Sequence, residues 1–209
     1  LIFFGIIMWA SDLLGIPFSV YDTFRIEEKY GFNKTTPGIF VLDTIKGWFL
    51  GALIGGGILA LIMVIYRNTG TMFWIYAWIV ISGFSIFMSM FYSTLIVPLF
   101  NKQTPLPEGE LRNAIRDFAE KTGFRLDNIY VIDGSKRSTK ANAYFAGLGS
   151  KKRIVLYDTL INEMQTEEIV AVLAHETGHY KKKHVMQGLI FSIIQTGIIL
   201  YIFSRFVEN

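Results

Sequence analysis

The stretch VLAHETGHYKKKH, residues 172–184, runs straight into twenty residues without a charge, Val185–Ser204. It puts a metal-binding pattern and a membrane-length segment side by side. On an α-helix, residues four apart differ by only ~40° around the axis, so His175 and His179 project together. That spacing lets two imidazoles coordinate one Zn2+ ion with Glu176 beside it, facing a bound water. Zinc lowers the pKa of its water towards ~7, and the neighbouring carboxylate can take the proton before the hydroxide attacks a carbonyl. The bland alternative is two exposed helical histidines and an ordinary surface glutamate. The apolar run Ile169–Ala174 ahead of the motif and the small Gly178 within it favour the zinc reading. His184 comes nine residues after His175. On a continuing helix it would be rotated by ~180°, which places it among Lys181–Lys183 at the membrane surface rather than in the site. The spacing also departs from the longer HExxHxxGxxH pattern. Catalytic zinc usually has three protein ligands. The acidic residue that follows the motif, Glu208, lies beyond the Val185–Ser204 span, so the third ligand is expected outside residues 1–209.

Composition points to a membrane. Hydrophobic residues make up 52% of the chain and charged ones only 18%, which a soluble domain of 209 residues rarely shows. Besides Val185–Ser204, Gly47–Tyr66 and Asn68–Asn101 are uncharged and long enough to span, about 20 apolar residues being required. The thirty-four residues of Asn68–Asn101 would make a helix of roughly 50 Å, which should protrude from a ~30 Å core before Pro98. Leu1–Ile16 carries one charge, Asp12, and lacks the basic start and small-residue cleavage site of a signal peptide; it is expected to be the remainder of a span. If all four stretches cross, residues 17–46 and 102–183 share one side and hold eighteen of the twenty Lys and Arg residues. The positive-inside rule makes that side cytoplasmic. Gly55-Gly56-Gly57 suits close helix packing. The absence of cysteine excludes disulfides and cysteine catalysis, and the basic residues form no nucleic-acid-binding signature.

The soluble character is concentrated between the last two long stretches. Pro107–Thr122 reads as an amphipathic helix with Leu111, Ile115 and Phe118 on one face and Gly123 as its stop. Asn128–Ile132, Ala141–Gly147 and Arg153–Tyr157 read as strands, the last two joined as a hairpin through Gly149-Ser150-Lys151. Thr166 is expected to cap the helix that carries the motif, with Glu167 and Glu168 in its first turn. The expected fold is a mainly α-helical multi-pass membrane protein with a small α+β zincin-like insert carrying HExxH on a helix. Residues 1–100 form membrane helices with one cytoplasmic loop, 17–46. Residues 101–184 form the metalloprotease domain, and 185–209 a further membrane helix. From His179 to Val185 is six residues, so the metal would lie within roughly 10 Å of the spanning stretch, which suits substrates tethered by lipid.

Four runs carry a resemblance: YDTFRIEEKYGFNKTT, VPLFNKQTPLPEGELRNAI, DGSKRSTKANAYFAGLGSKKRIVLYDTLI and VLAHETGHYKKKH. They are similar to the integral-membrane CAAX prenyl protease family, type 1, over most of the chain, and to its middle portion. The resemblance implies a zinc endopeptidase with seven membrane helices around an internal chamber, cutting near the C-terminus of prenylated proteins. It implies that His175 and His179 are the zinc ligands, Glu176 the catalytic base, and Asn142 and Ala143 part of the substrate cleft. The family's third ligand is a glutamate on a later helix. The implied location is the endoplasmic reticulum in a eukaryote or the inner membrane in a bacterium, with the active-site domain cytoplasmic. The expected partners are a prenylated or membrane-associated peptide and the lipid bilayer, without nucleic acid. The extended NAYF segment could receive a substrate peptide as an added strand; as an ordinary hairpin strand it would use Tyr144 and Phe145 for packing. Two other functions compete: a membrane quality-control zinc protease without a prenyl requirement, and a non-catalytic membrane scaffold that purifies without zinc.

Overall fold

A computed structural model describes residues 2–123, 128–147 and 153–207. The chain divides into two compact units, Leu1–Ser85 with Leu189–Asn209, and Ile86–Gly188.

The first unit is helical. Helix α1 (Ile2–Tyr21) passes through Pro17 and continues as a π-helical segment, Asp22–Glu27. Helix α2 (Pro37–Leu50) starts where its sequence favours a start: the Thr36 hydroxyl accepts from Ile39 N at 3.3 Å, and Pro37 occupies the first turn. Within 17–46, where a loop is expected, the residues outside helix are therefore only 30–36. There the Asn33 side chain closes a turn by accepting from Thr35 N at 2.7 Å. A π-helical turn at Gly51–Gly55 leads into α3 (Gly56–Thr69). The helical path then breaks at Gly70–Met72, because Gly70 takes a φ of +51° that a side chain would oppose. Tyr66 packs edge-on against Phe73 across the break, with centroids 5.2 Å apart. The long span expected over 68–101 is thus shorter: α4 runs Phe73–Leu95, 23 residues, or roughly 35 Å.

In the second unit, α5 (Val97–Phe100) is followed by strand β1 (Gln103–Pro105), which the sequence pattern did not signal. Pro105 argues against a strand interior, and β1 lies at a sheet edge, where proline is tolerated. Next come α6 (Glu110–Lys121), β2 (Ile129–Ile132), a 3-10 turn (Gly134–Lys136), β3 (Ala143–Ala146), β4 (Arg153–Tyr157), α7 (Asp158–Glu163) and α8 (Thr166–Lys181). Helix α9 (His184–Val207) begins after two intervening residues. The strand order is β1-β2-β4-β3, with β2 and β4 parallel and both outer strands antiparallel to their neighbours. The β3–β4 pairing is that of a hairpin; its expected turn, Gly149–Lys151, lies outside the described residues.

The core of this unit joins all its layers. Ile115 from α6, Ile154 and Leu156 from β4, Leu160 from α7, and Ile169 and Leu173 from α8 are almost fully buried. Each such side chain contributes about 1.5–3 kcal/mol by leaving water. Back in the first unit, Trp78 on α4 donates its Nε1–H to Ile193 O on α9 at 2.8 Å, and Gly197 leaves room for its ring.

Among the described residues, three helical stretches, Ile2–Glu27, Pro37–Phe100 and His184–Phe206, are long and apolar enough to cross a membrane. Their surfaces carry large exposed apolar side chains such as Phe3, Phe18, Phe49 and Phe191. Water would penalise such surfaces and lipid would not. The protein is an integral membrane protein, mostly helical, with a small mixed sheet among the described residues.

Candidate metal centre

Helix α8 presents two different faces. Ile169, Leu173 and Thr177, four apart, point into the core, while His175 and His179 lie on the opposite face and are exposed. Glu176 falls between the faces and is half-buried. The helix starts with a capping box: Gln165 is the N-cap, its side chain accepts from the third helical N–H, and its own N–H donates to Glu168 Oε2 at 2.8 Å. The cap is therefore one residue earlier than the expected Thr166, because the longer Gln165 side chain pairs with Glu168.

The two imidazoles converge. His175 Nε2 and His179 Nε2 are 3.2 Å apart. Two nitrogens bound to one tetrahedral Zn2+ at about 2.0–2.1 Å should be about 3.3 Å apart, so this pair fits two of the ion's ligand positions. Among the described residues, no group of three or more His, Cys, Asp or Glu side chains is disposed to hold a metal ion. Glu208 lies outside the described residues.

His184 departs from the expectation. Its Nδ1 is 2.8 Å from Nδ1 of His179, and their rings meet edge-on at 4.9 Å. Helix α8 does not continue through the lysines. Lys183 has a φ of +57°, the one positive value among the described non-glycine residues, and it redirects the chain before α9. The backbone there is closed by Lys182 N to Gly178 O at 3.1 Å and Lys183 N to Tyr180 O at 2.8 Å. A helix end of this kind usually has glycine at the left-handed position. With lysine there, the local sequence held no signal for the reversal.

The NAYF strand lies beside this helix. Phe145 on β3 stacks on Tyr180 of α8, with centroids 5.9 Å apart. β3 occupies a sheet edge. The Asn142 carbonyl accepts from Tyr157 N at 3.0 Å, so Asn142 and Tyr144 direct their main-chain groups towards β4, and Ala143 directs its own away from β4. Asn142 is exposed, and its Oδ1 accepts from Ala143 N at 2.8 Å. The Ala143 side chain is a core residue, 6% exposed. Any role for Ala143 in a cleft would rest on its main chain.

Tyr144 packs edge-on against Tyr157 at 6.4 Å, and its Oη is 3.5 Å from Gln103 Nε2. Burial raises its phenol above the usual tyrosine value, more than the hydrogen bond with Ser93 lowers it. It therefore stays protonated at neutral pH. A largely apolar cavity of about 640 Å³ opens along β3 and the end of α8, lined by Tyr144, Phe145, Tyr180, Lys183, Met186 and Met88 among others.

Residues 1–102 match the family model described as CAAX prenyl protease N-terminal, five membrane helices. Residues 105–208 match that of peptidase family M48. The chain is 44% identical to CAAX prenyl protease 1 of Saccharomyces cerevisiae over 210 residues, covering 100% of this chain and 46% of that protein. It is 46% identical to the Arabidopsis thaliana CAAX prenyl protease 1 homolog over 187 residues, 89% of this chain and 44% of the relative. The crystal structure of S. mikatae Ste24p superposes with a TM-score of 0.91 at 45% identity, covering 97% of this chain and 48% of that one. The chain spans about half the length of the curated relatives it matches.

Proposed function

The chain belongs to peptidase family M48, and on that premise we propose that it supplies the zinc-binding and proton-transfer groups of a membrane endopeptidase that cuts near the C-terminus of prenylated proteins. The observation that carries this is the 3.2 Å approach of the two Nε2 atoms with Glu176 on the same helical turn. His175 and His179 would hold the ion, with a third protein ligand on a later helix, as the family resemblance implies. When bound, zinc supplies a Lewis acid that polarises the scissile carbonyl and a water whose pKa falls towards ~7.

Glu176 accepts the proton of the attacking water on its carboxylate and returns it to the leaving amide nitrogen. The half-buried position of Glu176 supports that role, because packing against its surroundings restricts its rotamers. A peptide laid along the edge strand β3, near Asn142 and Ala143, would take an extended form that presents its carbonyl to the α8 face. The apolar cavity beside β3 suits a hydrophobic side chain of that peptide. The start of α9, five residues after His179, keeps the site near lipid, where a prenylated substrate is anchored. The excess of Lys and Arg in 17–46 and 102–183 supports a cytoplasmic orientation of this domain.

The test is Glu176→Gln in the full-length protein, assayed on a prenylated peptide and its unprenylated twin with a chelator control. Zinc content should stay unchanged while cleavage falls by at least ~100-fold, the lower scale of general-base effects. Near-normal cleavage by the variant would overturn the mechanism. Equal cleavage of the two peptides by the unaltered protein would replace the prenyl-directed function with a general membrane quality-control one.

A further inference from the structure

The two nitrogens of His179 face different partners. Nε2 faces Nε2 of His175 at 3.2 Å, and Nδ1 faces Nδ1 of His184 at 2.8 Å. An imidazole that binds a metal through one nitrogen carries its proton on the other, and the acceptor of that proton sets the ring's tautomer and orientation. We propose that His184 is a positioning residue: its Nδ1 accepts the Nδ1–H of His179 and so holds Nε2 of His179 bare and turned towards His175. His184 then carries its own proton on Nε2. It does not coordinate the ion, because it meets the far edge of the His179 ring from the one that faces His175.

The backbone is built for this contact. Had α8 continued, the five residues from His179 to His184 would have turned the ring ~140° away. The left-handed Lys183 brings it back. That conformation is unfavourable for a residue with a side chain and is retained only where surrounding contacts hold it. The carbonyls of Gly178 and Tyr180 and the Lys183 O···Gln187 N bond at 2.9 Å are those contacts. The same junction starts α9, and His184 is the first residue of that helix.

The inference rests on His175 and His179 being metal ligands, and the test separates the two. In the full-length protein, zinc affinity is measured by competition with a chelator for the unaltered protein, His179→Ala, His184→Ala and His184→Asn. The asparagine amide stands where Nδ1 of histidine stands and can accept the same hydrogen bond. His184→Ala should weaken zinc binding roughly 10–100-fold, and His184→Asn should restore most of the loss. Cobalt substituted for zinc should keep the same ligand-field spectrum in both His184 variants, since no ligand has been removed. Unchanged affinity in His184→Ala, or an asparagine variant as weak as the alanine one, overturns the proposal. So does a cobalt spectrum altered in both His184 variants, which would make His184 a ligand. If His179→Ala also binds zinc normally, it is the metal-site reading that fails, and the inference falls with it.

Discussion

Substituting Gly134 by alanine should change sign in its effect on stability according to what stands at position 157. Gly134 is buried at the start of the 3-10 turn after β2. A Cβ there would overlap Cδ1 of Tyr157 and lie 2.9 Å from Cε1 and 3.1 Å from Cγ. The ring has little room to retreat. Tyr157 N is bonded to Asn142 O at 3.0 Å, its ring packs on Tyr144, and the adjacent Asp158 carboxylate accepts from Ser135 N at 2.8 Å and from the Ser135 hydroxyl. Overpacking of this kind costs about 1–3 kcal/mol. For a chain of this size the midpoint falls by ~2–4 °C per kcal/mol, so Gly134→Ala should lower Tm by roughly 2–12 °C. Gly134 is not among the glycines with positive φ, so its backbone conformation is open to alanine. Once Tyr157→Ala has removed the ring, the same substitution should stabilise by ~0.4–1 kcal/mol through the unfolded chain. The coupling between the two sites is then roughly 1.5–4 kcal/mol. Thermal unfolding of the four proteins in one detergent measures it. A destabilising Gly134→Ala in both backgrounds would refute the reasoning, because the penalty would then come from the backbone and not from the ring.

Three further outcomes are expected. The Thr177 hydroxyl, inside the motif and 3% exposed, has no hydrogen-bond partner among the described residues. Thr177→Val should therefore raise stability by about 1 kcal/mol with zinc content unchanged, and a loss of stability in the unfolding curve would reveal a partner. Gly197→Leu should lower Tm and redden the tryptophan emission by pushing Trp78, which lies 3.0 Å from a Cβ at that position, off the Ile193 carbonyl. Gly188→Leu on the same helix, with open space around it, is the control, and equal losses in both would refute the contact. A single cysteine at the exposed Lys140, in sealed vesicles with their cytoplasmic side inward, should react with an impermeant maleimide only after permeabilisation. Labelling of intact vesicles would reverse the orientation we propose.

Much of this protein is legible along the chain because its strongest signals are periodic or positional. Long uncharged runs mark the apolar helices, since the hydrocarbon thickness imposes a length. The strands Ile129–Ile132, Ala143–Ala146 and Arg153–Tyr157 fall within the β-branched and aromatic runs that mark them. His175, Glu176 and His179 lie on one helix, and their relative placement follows from 3.6 residues per turn alone. What tertiary structure decided are the contacts that depend on breaks in that regularity. The end of α3 at Gly70 shortens the third long stretch, and Pro105 pairs with Tyr130 in an edge strand that composition argues against. The left-handed Lys183 brings His184, which helical extrapolation turns away, beside His179. A helix periodicity can be extrapolated only while the helix lasts. Where it ends, a single backbone angle redirects every side chain that follows, and lysine's own preference gives no sign of that angle.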